Sequence, residues 1–184
     1  MFHLSMESTM TIAIRPECPE DFPIIHDLVR TAFENAEYAS GDEHFLVDRL
    51  RGSREYIPEL SLVAEEDGRI VGHIMFTRLK VGEATALILA PLAVPPSHQG
   101  RGIGGALIRR GHEIARSLGW EFVILVGHAG YYPRFGYKSA ASFGIVSPFE
   151  VPEEAFMAIN LRGGAERLPG LLQYSPAFFP ESPA

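Results

Sequence analysis

A glycine-rich segment near the middle of the chain has the residue types of an anion-binding turn. Positions 98–105 read His-Gln-Gly-Arg-Gly-Ile-Gly-Gly, with four glycines in the last six residues, between an apolar run and a strong helical pattern. A helix N-terminus presents unpaired amides and a partial positive charge, and glycines let phosphate oxygens approach the backbone. Because glycine is costly inside a helix, we interpret this segment as a phosphate cradle rather than a plain turn.

The same segment also matches Gly-x-Gly-x-x-Gly, the fingerprint of dinucleotide-binding domains. Such a domain places the fingerprint after its first strand and needs an acidic residue at the end of the next strand. Here the turn lies mid-chain after a predicted hairpin, and Glu121 begins the next strand instead of ending it. A Walker-type loop is excluded because the chain contains no Gly-Lys-Ser/Thr. A nicotinamide-dependent oxidoreductase is therefore a weak interpretation.

Two adjacent tyrosines are the second candidate for chemistry. Tyr131 and Tyr132 begin the segment Tyr-Tyr-Pro-Arg-Phe-Gly-Tyr, which spans residues 131–137. A tyrosine hydroxyl is protonated at neutral pH, so it can give a proton to a leaving group. Tyrosines are also common in protein cores, so a structural role for both is the alternative.

Together these segments resemble the motifs of the GNAT superfamily of N-acetyltransferases. Residues 99–104 are similar to its Gln/Arg-x-x-Gly-x-Gly/Ala motif, and residues 131–137 to its aromatic-Tyr-x-x-x-Gly-aromatic segment. Residues 90–96 resemble the strand that precedes the first motif. One departure is the short segment Gly127-His128-Ala129-Gly130, where many relatives carry an asparagine followed by a helix. His128 could replace part of that asparagine's contact with the coenzyme, or could be an ordinary loop residue.

The resemblance implies transfer of an acetyl group from the cosubstrate acetyl-CoA to a primary amine of a small molecule or protein, in a ternary complex. Tyr132 would protonate the departing thiolate as general acid, and Tyr131 would fill an aromatic packing position. The pantetheine arm would bind a strand end like an added strand, and the pyrophosphate would bind the glycine-rich turn. The coenzyme-binding residues so implied are Leu92, Ala93, Val94, Gln99, Gly100, Arg101, Gly102, Ile103, Gly104 and Gly105. A non-catalytic module that holds acetyl-CoA as a sensor or scaffold is the alternative function.

The general base that would deprotonate the amine is less evident. No residue is clearly indicated, because each candidate is more often a solvated or structural residue. Glu43 is the first candidate, and a chain of water molecules is an alternative. Weaker candidates in the region where the family builds its acceptor site are Glu37, His44 and His73.

Acidic residues are frequent between positions 33 and 51, a segment that would shape the acceptor pocket. Opposite charge would favour a cationic amine there. A solvated acidic helix face is the more common explanation for such residues. The residues concerned are Glu34, Glu37, Asp42, Glu43 and Asp48.

Hydrophobic periodicity predicts the elements that must position these residues. Asp67-Gly68 between two apolar runs predicts a hairpin, and Gly119 predicts the end of a helix. The predicted strands are 11–15, 60–65, 70–81, 84–94, 121–126 and 156–161, with 84–94 and 121–126 parallel. The predicted helices are 19–34, 42–51 with Phe45, Leu46 and Leu50 inward, and 102–118 with Ile103, Leu107, Ile114 and Leu118 inward.

The resemblance implies an α+β fold of the α/β-sandwich type. Its mixed central sheet would have about six or seven strands, split in a V after strand four, with about four flanking helices. We expect residues 1–9 to be a flexible extension and residues 10–184 to form a single domain with a proline-rich tail.

The overall composition limits the possible partners. The chain has 184 residues, 46% of them apolar, and a net charge of −7, which argues against nucleic-acid binding. Local positive charge could still come from the cluster of His98, Arg101, Arg109 and Arg110. The lone Cys18 allows neither an internal disulfide nor a cysteine-based metal cluster, and no histidine spacing suggests zinc. Residues 84–94 are too short an apolar run to span a membrane. We expect a cytoplasmic, metal-free monomer or homodimer.

Overall fold

The computed structural model of the protein describes residues 11–36 and 39–180. A mixed sheet of nine strands lies at the centre of the fold. The strands are β1 Ala13–Pro16, β2 Ser61–Glu66, β3 Arg69–Val81, β4 Ala84–Ala93, β5 Phe122–Val126, β6 Lys138–Ser139, β7 Ile145–Val146, β8 Phe156–Asn160 and β9 Gly170–Gln173. The α-helices are α1 Phe22–Phe33, α2 Glu43–Arg51 and α3 Ile103–Ser117. The extension predicted for residues 1–9 lies outside the described residues.

The strand order is β1-β2-β3-β4-β5-β8-β6, and β9 pairs with both β3 and β7. Most pairs are antiparallel, whereas β4 with β5 and β7 with β9 are parallel. The predicted fold class is confirmed, including the parallel crossover through α3. The described part has nine strands rather than six or seven because β6, β7 and β9 are too short to show a period. It has three α-helices rather than four, since a 3₁₀ turn over Tyr132–Phe135 follows β5.

The predicted β2–β3 hairpin is confirmed, and its turn has the expected chemistry. Asp67 and Gly68 adopt φ values of 49° and 74°, so both central residues are left-handed. This is the type I′ geometry that matches the twist of two antiparallel strands. The hairpin places β3 at the centre of the sheet, directly beside β4.

Strands β4 and β5 separate after a short contact. Their parallel pairing covers Leu87 with Val123 and Ile88 with Ile124, whereas β4 continues along β3 as far as Ala93. The β3–β4 register is irregular between Ile74 and Phe76, opposite the departing part of β4. The sheet therefore opens after its fourth strand, as the predicted V-shaped split requires.

Two residues predicted to face the core are exposed. Phe45 is 51% exposed because the buried stripe of α2 is formed by His44, Val47 and Leu50. A residue one position along a helix points about 100° away from its neighbour. Leu118 is 46% exposed because it lies past the last turn of α3, where the chain turns at Gly119 with φ 87°.

A buried carboxylate, Glu17, joins the end of β1 to α2 and β3. It accepts hydrogen bonds from Arg51 Nε at 2.8 Å and Tyr56 Oη at 2.8 Å, and its Oε2 lies 3.0 Å from His73 Nε2. Burial alone would raise the pKa of Glu17, but the bonds to His73 and Arg51 outweigh it and hold that pKa well below its usual range. Burial lowers the pKa of His73, so its ring is neutral in the folded protein at neutral pH.

This cluster predicts that acid weakens the fold. A carboxylate whose pKa is lowered by folding contributes stability above its unfolded pKa, near 4.5, and loses that stability as pH falls. His73 acts in the same direction below about pH 6.5, because the unfolded imidazole takes up a proton that the folded one does not. We expect the free energy of unfolding, measured by urea titration from about pH 7 to about pH 2.5, to fall by up to about 1.4 kcal/mol per pH unit for each proton taken up.

Glu17→Gln provides the comparison for that titration. The variant should be less stable at neutral pH, and its stability should depend less on pH below about 4.5. An equally steep dependence in both proteins would mean that other carboxylates cause the acid sensitivity.

Candidate coenzyme and catalytic site

The glycine-rich turn connects β4 to α3. Gly100 and Gly102 have φ values of 74° and 79°, and Gly102 is the N-cap residue of α3. The first helical bond runs from the amide of Ala106 to the carbonyl of Gly102 at 3.0 Å. Within residues 11–36 and 39–180, no carbonyl accepts from the amides of residues 103–105. These amides form the positive end of α3 and can bind an anion.

Gly104 is closely approached from two sides. A Cβ atom at this position would lie 2.7 Å from the hydroxyl of Tyr131 and 3.6 Å from Cδ2 of Leu92. The first turn of α3, the end of β4 and the tyrosine segment therefore meet at one point. The glycine-rich turn and the tyrosine segment, 27 residues apart at Gly104 and Tyr131, are next to each other in the fold, although nothing in their local patterns indicates this contact.

The end of β4 carries the three residues predicted to bind pantetheine. Ala93 is buried, and Leu92 and Val94 are half-buried. Past Ile88 the strand has no pairing partner on its β5 side within the described chain. Gln99 donates from Nε2 to the carbonyl of Val94 at 3.0 Å, which holds the turn against the strand end.

Arg101 does not supply free positive charge to the turn. Its guanidinium forms two bonds to the carboxylate of Glu66, at 2.5 and 3.1 Å. Arg110 is similarly paired with Glu113, at 3.0 Å. Both arginines belong to the positive cluster predicted from the sequence, but their carboxylate partners are not apparent from the sequence alone.

Arg109 and Arg134 supply the uncommitted charge instead. The guanidinium carbon of Arg109 lies 5.2 Å from the ring centre of Phe135, and that of Arg134 lies 4.8 Å from the ring centre of Tyr131. Neither forms a salt bridge to a carboxylate in the part of the chain that the structure describes. Arg134 was not among the cationic residues identified from the sequence, although it stands within the tyrosine segment itself.

Tyr132 is held in the core at the start of the 3₁₀ turn. It is 9% exposed, and its ring packs edge-on against Tyr131 and Tyr137, with centres 5.2 and 5.7 Å apart. On another side it fills the space where a side chain at Gly127 would lie. Burial raises the pKa of Tyr132, so its hydroxyl stays protonated at neutral pH.

Glu43 lies in the first helical turn of α2. In sequence it is far from both the glycine-rich segment and the two tyrosines. Its Oε1 accepts from the amide and the hydroxyl of Ser40, at 2.6 and 3.0 Å. Its Oε2 is buried and has no partner within residues 11–36 and 39–180. The residue lines an open depression of about 440 Å³ together with Arg30, Phe33, Glu34 and His44. Its role as general base stays a prediction.

The other base candidates differ in their surroundings. His44 is buried, with its ring centre 4.2 Å from that of Phe45. His73 lies in the Glu17 cluster, fully buried, with its Nδ1 unpartnered in the described chain. Glu37 lies outside the described residues. The carbonyl of His128 accepts from the amide of Tyr131 at 3.0 Å, and the coenzyme contact suggested for its side chain is untested.

In residues 11–36 and 39–180, no helix has both the length and the apolarity to cross a bilayer. Over the same ranges, histidine, cysteine and carboxylate side chains form no group of three or more that could hold a metal ion.

Comparison with known proteins identifies a consistent set of relatives. A family model described as an acetyltransferase (GNAT) domain matches residues 58–139. The uncharacterized N-acetyltransferase YjhQ of Escherichia coli (strain K12) is 42% identical over 126 residues, which cover 66% of this chain and 70% of that protein.

Two solved structures are similar over nearly the whole chain. A GNAT family acetyltransferase from Brucella melitensis, in complex with acetyl-CoA, has a TM-score of 0.78 and 34% identity, and covers 92% of this chain and 99% of its own. The GNAT family N-acetyltransferase YhbS from Escherichia coli, in complex with CoA, has a TM-score of 0.80 and 29% identity, and covers 92% of each chain.

Proposed function

Because the chain belongs to the GNAT family of N-acetyltransferases, we propose that it transfers the acetyl group of acetyl-CoA directly to a primary amine in a ternary complex. The observation that carries this proposal is a junction of three elements. The unpaired end of β4, the free amides at the start of α3 and the hydroxyl of Tyr131 meet around Gly104, beside the opening of the sheet.

The coenzyme would lie along this junction. Its pantetheine amides would bond the backbone of residues 92–94, and its pyrophosphate would lie on the amides of residues 99–105. Arg109 lies on α3 and Arg134 stacks on Tyr131, whose hydroxyl approaches Gly104; both would neutralise phosphate charge that the amides leave uncompensated. Acetyl-CoA and CoA bound to two similar proteins support this assignment.

Tyr132 would complete the transfer. The nitrogen of a neutral amine attacks the thioester carbonyl, an N–C bond forms, and the C–S bond breaks as the thiolate leaves. Tyr132 gives its proton to that thiolate, and the amine loses a proton to a base. The support for this role is a protonated hydroxyl on a buried ring that packs against Tyr131 at the coenzyme junction.

The acceptor would enter from the side of α1 and α2. Glu43 has an unpartnered carboxylate oxygen at the depression there and remains our candidate for the base, with water as the alternative. Glu34 and Glu43 at this depression favour a cationic amine. We propose that the reaction takes place in the cytoplasm, in either a monomer or a homodimer.

Coenzyme binding can be tested without knowing the acceptor. We expect acetyl-CoA to raise the thermal unfolding midpoint progressively, with a stabilisation of about 2.7 kcal/mol at a hundred times its Kd. NAD at the same concentrations should cause no comparable shift. Stabilisation by NAD and none by acetyl-CoA would overturn the proposed function.

Measurement of acetyl-CoA turnover distinguishes an acetyltransferase from a non-catalytic sensor. A panel of amines, including diamines and peptides with free amino groups, is incubated with acetyl-CoA while release of free thiol is recorded. Amine-dependent thiol release is expected. Stabilisation by acetyl-CoA without thiol release for any amine would favour the non-catalytic module.

A further inference from the structure

A buried hydrogen bond links α3 to the end of the tyrosine segment. The hydroxyl of Tyr137 lies 2.9 Å from Nε2 of His112, and both side chains are almost completely buried. Tyr137 follows the 3₁₀ turn that begins with Tyr132, whereas His112 lies in the third turn of α3. The bond therefore joins the helix of the proposed phosphate cradle to the segment of the proposed general acid.

Both partners are neutral at physiological pH. Burial, assisted by the nearby Arg116 charge, lowers the pKa of His112 to about 4. Burial also raises the pKa of Tyr137 well above its usual value. The neutral imidazole can thus accept at Nε2 the proton that the Tyr137 hydroxyl donates. Such a bond persists from mildly acid to alkaline pH and fixes the two rings relative to each other.

Each partner is also packed on a second element. The ring of Tyr137 lies edge-on to Tyr132 with centres 5.7 Å apart, so a shift of one ring displaces the other. His112 packs against Phe76 of β3, with centres 6.4 Å apart. Gly111 makes room for this contact, because a Cβ there would collide with the ring of Phe76. The chain of contacts from β3 through α3 to Tyr132 is continuous.

We propose that His112 and Tyr137 are positioning residues that fix Tyr132 relative to a coenzyme bound at the start of α3. This inference rests on the proposed function, in which Tyr132 is the general acid. Both side chains are almost completely buried, so neither is exposed for direct contact with a coenzyme or acceptor. Their contribution is to hold the Tyr132 hydroxyl at the distance from the thiolate that proton transfer requires.

Tyr137→Phe and His112→Leu each remove the bond. We expect either change to lower kcat by about 10-fold and to leave the KM for acetyl-CoA within about 2-fold, because the cradle on α3 is unaltered. His112→Gln retains an acceptor and should recover part of kcat. Each single removal leaves one buried polar group unpaired, so the unfolding midpoint should fall as well.

The double variant His112→Leu/Tyr137→Phe separates stability from positioning. It leaves no buried polar group unpaired, so its unfolding midpoint should recover towards that of the wild type while kcat stays low. Tyr56→Phe is the matched control: it also removes a hydrogen-bonded tyrosine hydroxyl, the one that donates to the buried Glu17 at 2.8 Å. It should lower the midpoint without changing kcat.

A double-mutant cycle with Tyr132→Phe completes the test. If Tyr137 acts through Tyr132, Tyr137→Phe should cause no further loss of kcat once the Tyr132 hydroxyl is absent. Independent, multiplicative losses would overturn the inference, and so would an unchanged kcat in both Tyr137→Phe and His112→Leu. A wild-type protein without amine-dependent thiol release would overturn the proposed function and this inference together, whereas failure of the cycle alone overturns only the inference.

Discussion

Replacing Tyr132 with phenylalanine is expected to lower the kcat of acetyl transfer by about 10²–10⁴-fold, the usual contribution of a general acid. The change removes one hydroxyl and little volume. The ring can keep its contacts with Tyr131, Tyr137 and Gly127, so packing should survive. Steady-state kinetics with one amine acceptor provides the measurement.

The affinity for acetyl-CoA should change much less in this variant. Proton transfer to the thiolate belongs to the transition state, so the loss should appear in kcat rather than in binding of the coenzyme. Isothermal titration with acetyl-CoA measures the binding separately. A Kd that rises as much as kcat falls would assign the Tyr132 hydroxyl to coenzyme binding instead of proton transfer.

Tyr131→Phe is the matched control on the neighbouring residue. The Tyr131 hydroxyl lies beside Gly104 at the first turn of α3, whereas Tyr132 is enclosed by the core. Removal of the Tyr131 hydroxyl should lower kcat less than removal of the Tyr132 hydroxyl, and it should act mainly on coenzyme affinity. A large kcat loss in Tyr131→Phe with a small one in Tyr132→Phe would exchange the two roles. Equal, small effects would mean that both hydroxyls are structural.

Local patterns predicted much of the frame around this site. The β2–β3 hairpin follows from Asp67-Gly68, whose left-handed conformations only a few residue types adopt easily. The start and end of α3 follow from Gly102 and Gly119 at its two boundaries. The placement of the glycine-rich turn between a buried strand and a long helix could therefore be predicted without any tertiary information.

Contacts between distant segments could not be predicted in the same way. Arg101 looked like a phosphate ligand because nothing near it in sequence is acidic, yet Glu66, 35 residues earlier, neutralises it. Strands β6 and β7 contain two residues each and exist only because β8 and β9 offer them partners. The approach of Tyr131 to Gly104 likewise depends on how the chain returns after β5.

Gly104→Val is expected to remove most of the affinity for acetyl-CoA while the protein stays folded. The new side chain would stand between Leu92 and the Tyr131 hydroxyl, where the coenzyme must pass from the strand end to the helix amides. Loss of two amide–phosphate bonds at about 1.5 kcal/mol each corresponds to about 100-fold in Kd. Gly102 is the less informative position, because its φ of 79° would be strained by any side chain. Titration calorimetry with acetyl-CoA measures the loss, and circular dichroism checks the fold.

The valine side chain in Gly104→Val can act in two ways: it can block the coenzyme phosphates, or it can displace Tyr131. A Cβ at Gly104 would lie only 2.7 Å from the Tyr131 hydroxyl, so Gly104→Ala in a Tyr131→Phe background relieves that collision. If affinity stays far below that of Tyr131→Phe alone, the side chain obstructs the coenzyme itself. Gly52→Val is the matched control, since a Cβ at Gly52 meets nothing closer than 3.6 Å, and it should bind acetyl-CoA normally. A folded Gly104→Val protein with wild-type affinity would place the phosphate cradle elsewhere on the molecule.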